Sequence, residues 1–258
     1  MSVFGNYSRY YDLLYRDKDY AREVDFIAGL LKRHGVARGA LRELGCGTGK
    51  HALLLAEQGH VVHGVDLSAE MLEQAQARVA KAPADVAARL AFARGDARDF
   101  FDGRSFDAVL SLFHVVSYQR SNDDLIAMFR NVAASTKPGG LFLFDYWYGP
   151  AVLTERPAVR IKRMESDEIA VTRMAEPVLH INRSQVDVNY QVFIRDKVSG
   201  AVEEVRETHV MRYLFAADID MLARATGFEI LESVEWLTGQ APGAGTWGVC
   251  SVLRKPQK

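Results

Sequence analysis

Three glycines at alternate positions, Gly45, Gly47 and Gly49, are the residues whose spacing points most clearly to ligand chemistry. A short apolar segment starting at Leu41 precedes them and a helical pattern follows, so they form a turn between a strand and a helix. Glycine tolerates positive φ and has no Cβ, which lets a small molecule lie directly on the main chain. The turn therefore predicts a nucleotide-type cofactor site.

The residues around this turn argue against a dinucleotide. The dinucleotide fingerprint requires glycine at its sixth position, where this chain has Lys50. Glu43 places a negative charge just before the first glycine, which suits a cationic ligand better than a pyrophosphate. An oxidoreductase that binds a nicotinamide dinucleotide is an alternative, but Lys50 and the lack of an obvious hydride-transfer constellation disfavour it.

The segment Glu43-Leu44-Gly45-Cys46-Gly47-Thr48-Gly49 resembles the first motif of the class I S-adenosylmethionine-dependent methyltransferases, whose cofactor carries a sulfonium. In that family, an acidic residue ending the second strand holds the ribose hydroxyls, and the resemblance gives this role to Asp66. An acidic residue after the third strand lies near the adenine amino group, and Asp96 occupies that place. The resemblance implies cofactor contacts from Tyr7, Glu43, Gly45, Cys46, Gly47, Gly49, Asp66, Leu67, Met71, Asp96, Ala97 and Leu112.

Both acidic residues also have simpler structural roles open to them. Asp66, followed by Ser68, could serve only to cap the next helix. Asp96 could serve only to open a turn.

The elements that position these residues alternate between strand and helix. Apolar residues at helical spacing predict helices near 20–33, 50–58, 68–81 and 122–136, with strands between them. This alternation predicts an α/β fold, doubly wound, with a mostly parallel sheet and right-handed crossovers. The resemblance implies seven strands in a Rossmann-like methyltransferase fold. Ligands of such sheets bind at the carboxyl ends of the strands, where the glycine turn and both aspartates would converge.

Helical spacing gives way to strand-like segments between residues 159 and 214. Residues 186–192 alternate almost strictly between apolar and polar, and Lys197-Val198-Ser199-Gly200 is typical of a hairpin turn. We therefore expect an S-adenosylmethionine-binding domain at 1–150 and 214–258, with an antiparallel β insertion at 151–213 after the fifth strand. An insertion at this point should form the wall of the substrate site.

Within the superfamily, the chain is most similar to enzymes that methylate amino groups of nucleotide-linked deoxysugars. The likeness rests on residues 7–13, on residues 145–150 and on the hairpin insertion. It implies a dTDP-linked deoxy-aminosugar of sugar or surface-polysaccharide biosynthesis as the acceptor. The residues expected at this substrate are Tyr11, Tyr146, Trp147, Tyr148 and Arg212. Sugar N-methyltransferases tend to carry a histidine near Tyr118, whereas the nearby histidine here is His114.

Methyl transfer to a neutral amine depends mainly on holding nucleophile, methyl and sulfur in line. A protonated amine or a hydroxyl must first lose a proton, and His114, Tyr118 and Asp145 are the catalytic candidates that could accept it. His114 is the first choice, although it could equally be a structural histidine at a strand end. O-methylation of another small metabolite and a non-catalytic cofactor-binding protein remain alternatives.

Composition sets the remaining expectations. The net charge of −1, from 32 basic and 33 acidic residues, offers no field that would attract nucleic acid. The two cysteines, Cys46 and Cys250, are far apart in sequence, which favours a reducing compartment. The chain shows no long apolar run or signal peptide, so we expect a cytoplasmic protein without membrane association. The histidine spacing suggests no metal site, and a homodimer is compatible with the sequence.

Overall fold

The computed structural model describes residues 13–257. Tyr7 and Tyr11, predicted at the cofactor and the substrate, lie outside the described residues. Beyond Asp19 the helices are α1 (Tyr20–Arg33), α2 (Lys50–Glu57), α3 (Ala69–Val79), α4 (Ala84–Ala87), α5 (Asn122–Ser135), α6 (Gly149–Thr154) and α7 (Ala216–Thr226). None of the described helices is long and apolar enough to cross a membrane.

The central sheet alternates with these helices. Its parallel strands are β1 (Ala40–Leu44), β2 (Val61–Asp66), β3 (Leu90–Arg94), β4 (Phe106–Ser111) and β5 (Thr136–Tyr148), in the order β3-β2-β1-β4-β5. Antiparallel strands β10 (Glu229–Glu235) and β11 (Gly248–Arg254) extend it, because β11 pairs with both β5 and β10. The predicted doubly wound sheet of seven strands is confirmed.

Four further strands lie between β5 and α7. They are β6 (Arg160–Glu165), β7 (Ile169–His180), β8 (Gln185–Asp196) and β9 (Val202–Leu214), each antiparallel to the next. The last two residues of β5 pair in parallel with β9, through Trp147 with Tyr213 and Tyr148 with Leu214. The predicted antiparallel insertion is thus present, and its sheet is continuous with the central sheet.

Local capping interactions set the starts of several helices. The Asp19 carboxylate accepts a hydrogen bond from the Arg22 N–H at the start of α1. Ser68 Oγ accepts one from the Met71 N–H at 3.1 Å, so Ser68 is the N-cap of α3. Ser121 and Asp124 form a reciprocal capping box at the start of α5.

Both faces of the central sheet are covered by apolar side chains. On one face, Phe129 of α5 packs against Phe142 and Phe144 of β5, with ring centroids 5.1 and 5.4 Å away. On the other face, α1 contributes Ile27 and Leu31 to a cluster with Leu41 of β1. Two covered faces explain why the central strands are nearly continuous apolar runs.

The insertion sheet packs over the carboxyl ends of the central strands. Val171 and Val192 of the insertion cluster with Leu14 and with Met71 near the start of α3. A second cluster joins Val188 to Trp147, at the end of β5. The insertion therefore faces the end of the sheet where a ligand is expected.

Candidate functional site

The glycine turn has the backbone conformation that the sequence predicts. Gly45, Gly47 and Gly49 have φ of 72°, 53° and 71°. A Cβ at Gly45 would lie 2.5 Å from Val115 Cγ2, so packing there excludes a side chain. A Cβ at Gly47 would meet no atom of residues 13–257 within 4 Å, so this part of the chain leaves room above the residue. The turn thus offers bare main chain to a ligand at Gly47.

Asp66 holds the turn from the end of β2. Its Oδ2 accepts a hydrogen bond from the Gly47 N–H at 2.8 Å, and its Oδ1 accepts one from the Ser68 N–H at 2.9 Å. Burial raises the pKa of Asp66, and these backbone donors oppose the shift. Asp66 therefore positions both the glycine turn and the loop that leads to α3. Each carboxylate oxygen has two acceptor sites, so Asp66 can also accept hydrogen bonds from ribose hydroxyls.

Glu43 is buried beside the same turn, with 1% of its surface exposed. Burial, together with the nearby Asp66 carboxylate, raises the pKa of Glu43 to about 8. Its Oε2 has no hydrogen-bond partner among the described residues. A buried carboxyl with an unused oxygen favours a ligand that carries positive charge or donates hydrogen bonds.

Sequence reasoning missed a charged cluster that extends from Glu43. Lys18 Nζ lies 2.5 Å from Glu23 Oε2, and His51 Nε2 lies 2.8 Å from the same oxygen. His51 Nδ1 lies 3.6 Å from Glu43 Oε1. Burial lowers the pKa of Lys18, whose ammonium lies 3.9 Å from the centroid of the Phe113 ring. No local pattern marks these residues, because a loop, α1 and α2 each contribute to the cluster.

Asp96 follows β3 and forms an ion pair. Arg98 Nη2 lies 2.6 Å from Asp96 Oδ2, and Arg98 Nη1 lies 2.6 Å from Asp124 Oδ1. The hydrogen bonds from Arg98 lower the pKa of Asp96. The Arg98 N–H also donates to Asp96 Oδ1 at 2.9 Å, so the turn-forming role is present. A contact with adenine is still a prediction.

The other residues predicted at the cofactor differ in accessibility. Cys46, Met71 and Leu112 are buried, and Ala97 packs partly buried against the core. Leu67 exposes 54% of its surface, directly after Asp66. An exposed leucine beside the turn is available to cover a ligand, whereas the three buried residues offer a ligand little side-chain surface.

The segment after β4 is strained. Phe113 and His114 are consecutive residues with φ of 63°, a left-handed conformation that is uncommon outside glycine. The His114 N–H donates to both carboxylate oxygens of Asp145, at 3.1 and 3.2 Å. His114 Nδ1 also lies 2.6 Å from Asp145 Oδ2, although the two atoms are poorly aligned for a hydrogen bond. Strain of this kind is typical of functional sites.

A cleft of about 710 Å³ opens beside His114, between the central sheet and the insertion. His114 and Trp147 line it from the central sheet, and Arg173 and Tyr190 line it from the insertion. His114 exposes 27% of its side chain, whereas Asp145 exposes 1%. A histidine held by a buried carboxylate thus stands at the edge of a space large enough for a small-molecule substrate.

The aromatic residues that end β5 point in opposite directions. Tyr146 is 1% exposed and belongs to the core cluster, with Tyr148 packed against the same cluster. Burial raises the pKa of Tyr146. Because side chains alternate across a strand, Trp147 faces the other way and lines the cleft. The expectation that Tyr146 contacts substrate does not match its position in the core.

Arg212 and Tyr118 are held by contacts outside the cleft lining. Arg212 Nη2 donates to Asn122 Oδ1 at 2.6 Å, where α5 begins. The Tyr118 hydroxyl lies 2.8 Å from Nδ1 of His209 on β9, and burial raises the pKa of Tyr118. Neither residue lines the cleft, whose lining includes His114 and Trp147. Their predicted roles at the substrate are still predictions.

The residues at the turn fit S-adenosylmethionine. Among the described residues, none fills the space over Gly47, which leaves room for a ligand on the main chain, and Glu43 offers an unused oxygen to a cation. Asp66 ends β2, where ribose hydroxyls would be bound in this fold. Within residues 13–257, no group of three or more histidine, cysteine or carboxylate residues could hold a metal ion.

Comparison with known proteins agrees with this geometry. Residues 42–140 match the family described as Methyltransferase domain. The chain is 30% identical over 237 residues to the dTDP-3-amino-3,4,6-trideoxy-alpha-D-glucopyranose N,N-dimethyltransferase of Streptomyces venezuelae, covering 91% of this chain and 93% of that protein. It is 29% identical over 243 residues to the dTDP-3-amino-3,6-dideoxy-alpha-D-glucopyranose N,N-dimethyltransferase of Streptomyces fradiae, covering 93% of this chain and 89% of that protein.

Solved structures share the fold. Streptomyces venezuelae DesVI superimposes with a TM-score of 0.77 at 26% identity, covering 97% of this chain and 98% of that chain. An S-adenosylmethionine-dependent methyltransferase from Clostridium acetobutylicum superimposes with a TM-score of 0.79 at 23% identity, covering 96% of both chains. The chain therefore belongs to the class I S-adenosylmethionine-dependent methyltransferases, and it is an enzyme whose cofactor is S-adenosylmethionine.

Proposed function

We propose that the enzyme transfers methyl groups to the amino group of a dTDP-linked deoxy-aminosugar. The observation that carries the proposal is the position of His114, which lines the cleft while Asp145 holds it from the buried side. An amino group that enters the cleft would therefore have this histidine within reach. The relatives from both Streptomyces species, which are named for dTDP-linked aminosugars, support the choice of substrate.

The cofactor would supply the methyl group, and residues of the chain would remove a proton from the acceptor. When bound, S-adenosylmethionine supplies an electrophilic methyl group on a positively charged sulfur. A sugar amine is mostly protonated near neutral pH, so its lone pair is available only after it loses a proton. His114, whose Nδ1 lies close to the Asp145 carboxylate, would accept that proton at Nε2. Asp145 would fix the ring orientation and stabilise the resulting imidazolium.

The walls of the cleft orient the acceptor. Trp147 and Tyr190 both line the cleft and offer it aromatic surface, which suits the apolar face of a deoxysugar. Residues 151–213 would act as the substrate wall, and residues 1–150 with 214–258 as the cofactor-binding domain. We further propose a cytoplasmic enzyme that does not bind nucleic acid, since its net charge is −1.

The test is a transfer assay with a matched pair of acceptors. Purified enzyme and S-adenosylmethionine are incubated with a dTDP-linked deoxy-aminosugar, or with the same sugar carrying a hydroxyl in place of the amine, and products are identified by mass spectrometry. We expect methylation of the aminosugar alone. Transfer to the hydroxyl sugar alone, or no transfer despite tight binding of S-adenosylhomocysteine, would overturn the proposal.

Substitution of His114 tests its role in the same assay. We expect His114→Asn to lower kcat by about a hundredfold, within the range for general base catalysis, while S-adenosylhomocysteine affinity stays unchanged. His34→Asn is the matched control, because His34 pairs with Glu232 away from the cleft lining. Full activity of His114→Asn would limit this histidine to a structural role.

A further inference from the structure

A positive charge lines the cleft without a counterion in the described part of the chain. Arg173 of β7 lines the cleft, and its Nε and Nη1 are shielded from solvent with no hydrogen-bond partner among the described residues. The guanidinium carbon lies 4.8 Å from the centroid of the Tyr190 ring, so an aromatic face supports the charge. Shielded guanidinium donors without acceptors cost free energy, which a bound anion would recover.

Arg42 shows how this chain satisfies an arginine with a structural role. Arg42 is fully buried on β1 and forms an ion pair with Asp102. Its Nη1 donates to Ser135 Oγ at 3.1 Å, and its guanidinium carbon lies 4.2 Å from the centroid of the Phe106 ring. Only Nε of this guanidinium has no hydrogen-bond partner among the described residues. No such carboxylate is paired with Arg173 in residues 13–257. The contrast indicates that the partner of Arg173 comes from outside the fold.

A second arginine lies on the same face of the insertion sheet. Arg173 and Ala175 are two residues apart on β7, so their side chains share a face. Arg160 of β6 and Tyr190 of β8 both pair with Ala175, which places them on this face, and all four residues line the cleft. The insertion therefore presents two guanidinium groups to the cleft.

The acidic residue of the cleft lining does not neutralise this charge. That residue is Glu235, whose two carboxylate oxygens accept hydrogen bonds from the hydroxyls of Thr238 and Thr246. Both threonines belong to the chain that follows β10, whereas Arg173 and Arg160 belong to the insertion. The insertion side of the cleft is thus suited to a ligand with more than one negative charge.

We propose that Arg173, with Arg160 on the neighbouring strand, binds the phosphate groups of the nucleotide-linked substrate. This inference rests on the proposed function and adds to it the subsite that anchors the acceptor. Arg173 can donate charge-assisted hydrogen bonds to phosphate oxygens from its unpartnered Nε and Nη1. With the phosphates held on the insertion, the sugar would extend toward His114 on the opposite side of the cleft.

The test measures nucleotide binding in the absence of turnover. The affinity of dTDP for enzyme saturated with S-adenosylhomocysteine is measured by calorimetry, for wild type, Arg173→Gln, Arg173→Lys and Arg160→Gln. Arg163→Gln is the matched control, because Arg163 is exposed on the opposite face of the same sheet. Inorganic pyrophosphate is a second probe, which separates recognition of phosphate from recognition of the base.

We expect Arg173→Gln to weaken dTDP binding by at least about tenfold, with a smaller loss for Arg173→Lys and none for Arg163→Gln. S-adenosylhomocysteine affinity should be unchanged in all variants. Equal dTDP affinity in wild type and Arg173→Gln would overturn the subsite while leaving the proposed function intact. If wild type did not bind dTDP and methylated an amine that carries no nucleotide, both the phosphate subsite and the proposed function would be overturned.

Discussion

The Tyr118 hydroxyl lies 2.8 Å from Nδ1 of His209, and this hydrogen bond joins the loop after β4 to the insertion. His209 Nε2 lies 3.4 Å from Glu207 Oε2, so the histidine is positioned from both sides. The Tyr190 ring meets the His209 ring at 90°, with the centroids 4.9 Å apart. The contact thus connects the segment that carries His114 to the strand that carries Tyr190.

A double-mutant cycle should show that Tyr118 and His209 act as a pair. We expect Tyr118→Phe and His209→Phe each to lower the free energy of unfolding by about 1 to 3 kcal/mol, because each removes one side of a buried hydrogen bond. The double variant should lose about 1 kcal/mol less than the sum of both. Urea denaturation gives these free energies. Strict additivity would mean that the hydrogen bond contributes nothing to stability.

Gly47→Ala should block the cofactor without further harm to the fold. Gly47 and Gly200 both have positive φ, and a Cβ at either would meet no described atom within 4 Å. Alanine at each should cost about 1 kcal/mol of backbone strain. We expect only Gly47→Ala to weaken S-adenosylhomocysteine binding, by about tenfold or more, because its methyl group would occupy the ligand's space. Calorimetry and thermal unfolding of both variants separate strain from binding, and equal affinities would remove Gly47 from the site.

Asp66→Ala should weaken cofactor binding by about 1 to 3 kcal/mol, since a charge-assisted contact with the ribose is lost. It should also destabilise the apoprotein, because the Gly47 and Ser68 N–H groups lose their acceptor. Asp66→Asn retains one acceptor oxygen and should show a smaller effect on stability. The exposed Asp99→Ala is the control. An unchanged dissociation constant for S-adenosylhomocysteine would leave Asp66 a purely structural residue.

Glu43 should make stability depend on pH in a defined direction. Its pKa in the folded state is raised to about 8 from 4.5, so between these values the folded protein binds a proton that the unfolded chain has released. This contribution is complete below the unfolded pKa and is lost as the pH rises through the folded pKa. From about pH 5 to about pH 8.5, wild type should lose up to about 4 kcal/mol relative to Glu43→Gln.

Urea denaturation at both pH values measures this difference, with Glu57→Gln as the exposed control. The free energy of unfolding of wild type should fall relative to that of Glu43→Gln toward alkaline pH, because only wild type must then bury a charged carboxylate. A difference that is constant across the range would show that Glu43 titrates normally.

Local signals in the sequence account for the parts of the site that lie on one element. The glycine turn, the N-cap at Ser68 and the position of Asp66 after β2 each depend on residues within a few positions of each other. The alternation in residues 186–192 likewise predicted β8, where Val186, Val188 and Val192 are buried and the residues between them are not.

Contacts between distant segments could not be predicted in this way. His209 is 91 residues from Tyr118, and Arg173 reaches the cleft because β7 pairs with both β6 and β8. The position of Tyr146 in the core depends on which face of β5 meets α5, a fact that one strand cannot reveal. In the sequence, Arg173 cannot be distinguished from other polar residues of a half-exposed strand, because only the structure shows that its Nε and Nη1 have no hydrogen-bond partner within residues 13–257.

The parallel pairing of Trp147 with Tyr213 makes the insertion an extension of the central sheet. The strands that carry the glycine turn and the strands that we propose as the acceptor wall are therefore parts of one hydrogen-bonded sheet, although they come from separate parts of the sequence. Exchange of strands β6 to β9 with those of a relative would alter the choice of acceptor while leaving the donor's binding turn untouched. Substitutions in β6 to β9 could thus change the preferred acceptor during evolution without changing the glycine turn that binds the methyl donor.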